Sequence, residues 1–362
     1  MTSPSGSDRR PLRPADLHHL RSVSEVVLHP DGDTAVYAVT WPDRDSDSNR
    51  SNLYRVDLDG TNRFRLTEGH SDSSPRFSPE GTRLAFVRSA TGEPGRLMVM
   101  DWPSGELYVA AEFADGEPSR IEWIGADRLL ALAPQRPGSQ EGVDDDERKR
   151  RPKIIASPLY RFNGRGYYFD RPAQLWSIDL GTLPSDEGTK PGDVPVAIGA
   201  IGVDHESFAV DPDGSAVVAI ASVHDDDRVA GGSRLLRYDV GRADDGTVAA
   251  SGPTVLTPAA GSWAELLWHP ADGLFVIGSD DLSTVEFNRL YRVDPSVTEA
   301  PTEVAFDDVN ITVGPSTGAA VDGGILAVGP RRGRVAIDRY STGQGGDGSR
   351  TVVYEDDSTV VA

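Results

Sequence analysis

The apolar residues of this chain fall into short runs, and the same turn chemistry breaks those runs at recurrent places. Val26-Val27-Leu28 meets His29-Pro30-Asp31-Gly32 and resumes at Thr34-Ala35-Val36-Tyr37-Ala38-Val39. The phrase returns as Pro75-Arg76-Phe77-Ser78-Pro79-Glu80-Gly81 before Arg83-Leu84-Ala85-Phe86-Val87. It returns again as Phe208-Ala209-Val210-Asp211-Pro212-Asp213-Gly214 before Ala216-Val217-Val218-Ala219-Ile220. A fourth copy runs from Leu266 through His269-Pro270-Ala271-Asp272-Gly273 into Leu274-Phe275-Val276-Ile277. A weaker copy without the proline runs from Ile121 through Gly125-Ala126-Asp127 into Leu129-Leu130-Ala131-Leu132. Proline presets φ at the turn and glycine takes the positive φ that other residues resist, so each copy predicts a β-hairpin.

A second phrase follows each hairpin: Leu53-Tyr54-Arg55-Val56-Asp57, Leu97-Met98-Val99-Met100-Asp101, Leu175-Trp176-Ser177-Ile178-Asp179, Leu235-Leu236-Arg237-Tyr238-Asp239 and Leu290-Tyr291-Arg292-Val293-Asp294. A third strand ends in that aspartate turn, and a fourth follows, such as Phe64–Thr67 or Thr254–Thr257. Four short strands recurring every few tens of residues, with the turn chemistry in phase, predict an all-β fold: a β-propeller of four-stranded blades. The blades are expected near 26–67, 74–110, 119–199, 206–257, 263–305 and 309–362, the last being less regular. This divides the chain into a tail with a short proline-opened helix at 1–22 and a propeller at 23–362. About six blades are present in the pattern.

The third blade carries an insertion, 134–172, between its second and third strands. Its first half, Pro137 to Arg151, reads as a charged loop; its second half is Pro158-Leu159-Tyr160-Arg161-Phe162-Asn163-Gly164-Arg165-Gly166-Tyr167-Tyr168-Phe169. Aromatics and arginines interleaved with glycines in a long loop suit a contact surface. The candidate substrate-rim residues are therefore Arg161, Phe162, Arg165, Tyr167 and Tyr168.

Charge narrows the partners. With 36 Lys+Arg against 57 Asp+Glu the net charge is −21, which argues against nucleic acid and anionic membrane surfaces. No apolar run is long enough to span a bilayer. Arg9-Arg10 is followed by Pro11-Leu12-Arg13-Pro14 rather than a hydrophobic stretch, so no export signal is expected and the expected location is the cytoplasm. Only Lys149, Lys153 and Lys190 are lysines, and 38% of residues are hydrophobic. An acidic, lysine-poor surface of this kind is expected of a halophilic protein, because at about 1 M salt the screening length falls to roughly 3 Å. There is no cysteine, which removes disulfides and thiol chemistry.

The chemistry-bearing motifs resolve to structural readings. No Gly-x-Ser-x-Gly elbow occurs, and Ser262 in Gly261-Ser262-Trp263 lacks the flanking glycines. His29 and His269 share one turn position in two blades, and no histidine pair has zinc-ligand spacing, so neither a metal nor another cofactor is expected. Asp45-Ser46-Asp47-Ser48-Asn49-Arg50 opens like a calcium loop but has Arg50 where glycine is needed and Val56 where a bidentate glutamate is needed. Gly343-Gln344-Gly345-Gly346-Asp347-Gly348 lacks the strand-then-helix setting of a phosphate cradle.

Several segments together carry a resemblance: Arg13-Pro14-Ala15-Asp16-Leu17, Arg21-Ser22-Val23-Ser24, the His29–Gly32 turn, Asn52–Asp57 and Arg65-Leu66-Thr67. They resemble the N-terminal propeller of acylaminoacyl-peptidase and dipeptidyl-aminopeptidase-like enzymes of the prolyl oligopeptidase family. Ser74–Gly81 is similar to the repeat those propellers share with TolB-type propellers, and the Tyr160–Tyr167 stretch favours the peptidases. The resemblance implies a propeller that caps an α/β-hydrolase domain, limits entry of large folded proteins and admits short or N-acylated peptides. No Ser-Asp-His triad is found here, so no catalytic residue carries over, and the chain is expected to be inactive alone. A hydrolase domain takes on the order of 250 residues, so the chain is expected to be the truncated propeller part. Its expected partners are then a peptide substrate and a separate hydrolase domain or polypeptide. The family's propeller has seven blades, so the resemblance implies that a seventh is missing here. An unclosed ring would leave an unpaired edge, and with it marginal stability or an oligomer. The alternative is a stand-alone TolB- or WD-like propeller that binds protein or peptide.

Overall fold

The computed structural model describes residues 11, 13–103, 105–136, 143, 145–152, 161–162, 166–167, 171–180, 195–200, 203–223, 232–242, 248–282, 287–304, 311, 318–331, 334–342 and 349–356. Nearly all regular structure in them is antiparallel strand. The chain divides into two compact units, Met1–Tyr108 and Val109–Ala362.

In the first unit a 3₁₀ turn, Pro14–His19, precedes the sheet. The Arg13 N–H donates to the Asp16 carboxylate at 2.7 Å, closing the turn within three residues. The sequence predicts a helix here; proline at its first position and six residues of length leave only the tighter form. The first blade is Ser22–Leu28, Thr34–Asp43, Ser48–Asp57 and Phe64–Arg65. The second opens with Ser71–Phe77, Arg83–Ser89 and Gly95–Asp101, and the strand Leu107–Phe113 spans the boundary of the two units. A single parallel pair, Ser51 with Ser71, links the two.

Both opening strands carry a bulge at the same phase. The register slips between Ser24 and Val27 and between Ser73 and Arg76, and Glu25 and Ser74 each take φ of 54°. The Glu25 carboxylate accepts the Ser74 N–H at 2.6 Å, so one bulge holds the next. At the other end of these strands His29 donates from Nε2 to the Gly81 carbonyl (2.9 Å) and accepts the Asp31 N–H on Nδ1 (3.2 Å). Its ring stacks on Trp102 and meets the edge of Phe77. Asp72, fully buried, takes both Nε and Nη2 of Arg88, at 2.7 and 3.0 Å.

The second unit repeats the plan four times. Its sheets are Arg120–Ile124, Arg128–Pro134, Ala173–Asp179 and Val196–Ala197; His205–Val210, Ala216–Val223, Gly232–Arg242 and Val248–Val255; Ser262–His269, Gly273–Ser279, Arg289–Val293 and Thr302–Glu303; and Gly318–Val321, Gly324–Arg331, Arg334–Ser341 and Arg350–Asp356. These are blades three to six.

Strand alternation decides which blade each side chain meets. Val217 and Ala219 pack with Ile124, Leu130, Leu132 and Leu175 of the third blade. Their neighbours Val218 and Ile220 pack with Leu266, Leu274, Val276 and Tyr291 of the fifth. Phe275 and Ile277 in turn meet Ile325, Ala327 and Tyr340 of the sixth. The second strands therefore read as continuous apolar runs, because both of their faces are covered. Fully burying such a side chain contributes about 1.5–3 kcal/mol. His269 repeats the His29 device: Nε2 donates to the Val321 carbonyl at 2.9 Å while Nδ1 accepts the Asp272 N–H at 3.0 Å.

Candidate functional site

In each blade the Pro/Asp–Gly turn closes one end of the first hairpin, so the connection between second and third strands leaves from the opposite end. In the third blade that connection is the insertion. Its two feet are the paired ends of adjacent strands, Pro134 opposite Ala173, and the Gln135 N–H donates to the Pro172 carbonyl at 2.9 Å.

Each foot is bonded to the chain segment that leads into a blade. On the outgoing side Asp115, ahead of the third blade, accepts the Arg136 N–H on one oxygen and Arg136 Nη1 on the other, both at 2.8 Å. Trp176 donates from Nε1 to the Ala133 carbonyl at 3.2 Å, and Phe113 meets its ring edge-on. On the returning side the Ala173 N–H donates to Asp204 at 2.7 Å, and His205 Nδ1 lies 3.0 Å from the Ala173 carbonyl. Nδ1 must donate there, which leaves Nε2 to accept the Tyr238 hydroxyl at 2.8 Å. The Tyr238 oxygen accepts the Ala200 N–H in turn, at 3.4 Å. A side chain at Gly199 would bring its Cβ to 2.9 Å from the His205 ring and 3.0 Å from the Gln174 amide, so only glycine passes.

Electrostatics agree with this proton placement. Burial pushes the His205 imidazole below its ordinary value and keeps it neutral. Burial likewise pushes the Tyr238 phenol up, so it stays a hydroxyl that can donate.

Within the insertion Asp145–Arg150 forms a helix where a charged loop is expected. The sequence suits it, with Asp145, Asp146 and Glu147 leading, Arg148, Lys149 and Arg150 trailing, and Glu147 bonded to Arg151 at 2.7 Å. Of the candidate rim residues, Arg161 and Phe162 pair with Tyr167 and Gly166 in a two-residue antiparallel ladder, Arg161 opposite Tyr167. Arg165 and Tyr168 lie outside the described residues. The sequence marks this aromatic stretch but not its anchors Asp115, Asp204 and His205, which carry no motif.

The rejected motifs have ordinary surroundings. Ser262 is exposed at a strand start opposite Ser279. Asp43 accepts the Ser46 N–H and hydroxyl in a tight hairpin, which occupies the calcium-like segment. Among the described residues, no three His, Asp or Glu side chains are grouped to hold a metal. Nor is any helix there long and apolar enough to cross a membrane.

No family model matches the chain. A 217-residue stretch is 26% identical to the uncharacterized peptidase YuxL of Bacillus subtilis (strain 168), over 59% of this chain and 31% of that protein. The fold matches acylaminoacyl peptidase of Pyrococcus horikoshii with a TM-score of 0.61 at 16% identity, over 94% of this chain and 47% of that one. It also matches the β-propeller domain of the Trilobed protease of Pyrococcus furiosus, a propeller of open velcro topology. There the TM-score is 0.54 at 13% identity, over 92% and 82% of the two chains. The chain thus spans less than half the length of the acylaminoacyl peptidase. Blade repeat and solved folds agree that the chain is a β-propeller, and its likeness in sequence and in fold runs to peptidases, in line with the resemblance to the prolyl oligopeptidase family.

Proposed function

We infer that this chain is the substrate-gating propeller of a serine peptidase of that family, acting on short or N-acylated peptides together with a hydrolase domain or polypeptide. It supplies no catalytic group itself. The observation that carries the reading is the third-blade insertion. It leaves the end of the blade opposite the Pro/Asp–Gly turns on two feet bonded to Asp115 and Asp204, and it bears the Arg161–Tyr167 ladder. Arginine offers a fixed fork of donors to a peptide carboxylate or carbonyl, and tyrosine adds a flat apolar face, so Arg161, Phe162, Arg165, Tyr167 and Tyr168 suit a rim that meets peptide.

Reading about one kilobase of genomic DNA beyond codon 362, a span set by the size of a hydrolase domain, tests the partner. A frame encoding Gly-x-Ser-x-Gly followed by Asp and His is expected, and its co-expression with this chain should yield peptide hydrolysis. In that assembled enzyme Arg161→Ala with Tyr167→Ala should alter the preference between short and long peptides. Unaltered preference would remove these residues from the rim.

A further inference from the structure

We propose that Asp204, His205 and Tyr238 form a proton-sensitive latch, which fixes the returning foot of the third-blade insertion to the fourth blade while His205 is neutral and frees it when His205 is protonated. The geometry is closed. Both backbone groups of Ala173 are taken, its N–H by Asp204 and its carbonyl by His205, and the second ring nitrogen is taken by Tyr238. Ala173 is the residue at which the insertion becomes the third strand, so whatever holds it fixes where the returning chain enters the blade.

The groups facing His205 are few. Asp204 precedes it and is itself buried. Tyr238 comes from the third strand of the fourth blade, while the third blade contributes the Ala173 carbonyl and, across Gly199, the neutral Gln174 amide. Glu206 turns away to the Ser222 hydroxyl. A proton on Nε2 would put a charge among these buried groups and force the Tyr238 hydroxyl to accept where it now donates. Asp204 opposes that loss; burial outweighs it.

The sign follows. An unfolded histidine takes its proton near 6.5, whereas the folded His205 resists it. The latch is therefore fully made above that pH and weakens as the pH falls below it, because the opened form binds the proton more readily. This holds whether or not the insertion meets peptide, so the latch and the rim stand or fall separately.

Amide hydrogen exchange on the full chain, corrected for the intrinsic pH dependence of exchange, reads the latch directly. Between pH 7.5 and 5.5 exchange at 173–176 and 205–208 should rise, while 274–277 in the fifth blade stays constant. Tyr238→Phe, which keeps the ring packing, should raise exchange at 173–176 about fivefold at pH 7.5, the size of one lost hydrogen bond. His205→Gln should abolish the pH dependence. A rise shared equally by 274–277, no rise at all, or an unchanged pH dependence in His205→Gln would overturn the latch.

Discussion

At the scale of single residues, histidine does structural work in three places through one property, a ring that can donate on one side and accept on the other. His29 and His269 each accept an amide of their own turn and donate to a carbonyl of the following blade, Gly81 in one case and Val321 in the other. Replacing His269 by alanine removes a donor to Val321 and an acceptor for Asp272 together. The expected cost is about 1–3 kcal/mol, read as a lower urea midpoint with an unchanged slope. These two histidines were legible in the sequence, because they recur at one position of a repeated turn. His205 was not. Its partners Ala173 and Tyr238 lie 32 and 33 residues away, and nothing in its neighbourhood marks it as different from a solvated junction histidine.

At the scale of strands and turns, the hairpins could be read because proline and glycine act within four residues. The alternating contacts of blades four and five follow from the same strands once both faces are covered. Phe275 lies between the fifth and sixth blades with no exposed surface. Phe275→Ala should destabilise the fold by about 3–5 kcal/mol, a transfer loss plus an unfilled cavity, measurable by denaturant unfolding. Leu28→Ala, at an exposed position of the first strand, should cost well under 1 kcal/mol in the same assay. The insertion was harder to read. Its charge run looks like a loop by composition, and the helix Asp145–Arg150 emerges only when the order of acids and bases is set against the helix dipole. The bulges at Glu25 and Ser74 left no sequence mark, since neither is glycine and both need their cross-blade bond to hold a positive φ.

At the scale of the whole molecule, charge is the property the fold leaves least balanced. A net charge of −21 repels itself, and ion pairs such as Arg242 with Asp179 and Arg289 with Glu303 match one base to one acid and leave that excess unchanged. Moving from dilute buffer to about 1 M salt shortens the screening length to roughly 3 Å. The melting temperature should therefore rise across that range. A flat response would show that the acidic composition is not an adaptation to concentrated salt. The propeller class was legible here because repeats announce themselves. The proposed peptide-facing role rests on one irregular segment, which the blade repeat does not help to interpret.

The packing of each blade on its neighbours, among the described residues of the second unit, also has a mechanical consequence. The apolar clusters of the second unit tie the third blade to the fourth, the fourth to the fifth and the fifth to the sixth, as in a row of stacked cards. Under tension applied at its two ends such a row yields one card at a time, because losing an end blade leaves every other interface intact. Pro30 and Pro79 lie 49 residues apart along the chain, and Pro212 and Pro270 lie 58 apart. Each release should therefore lengthen the molecule by about 170–200 Å of extended chain. An optical-trap trace of this protein should be a staircase with treads of that height rather than a single rip.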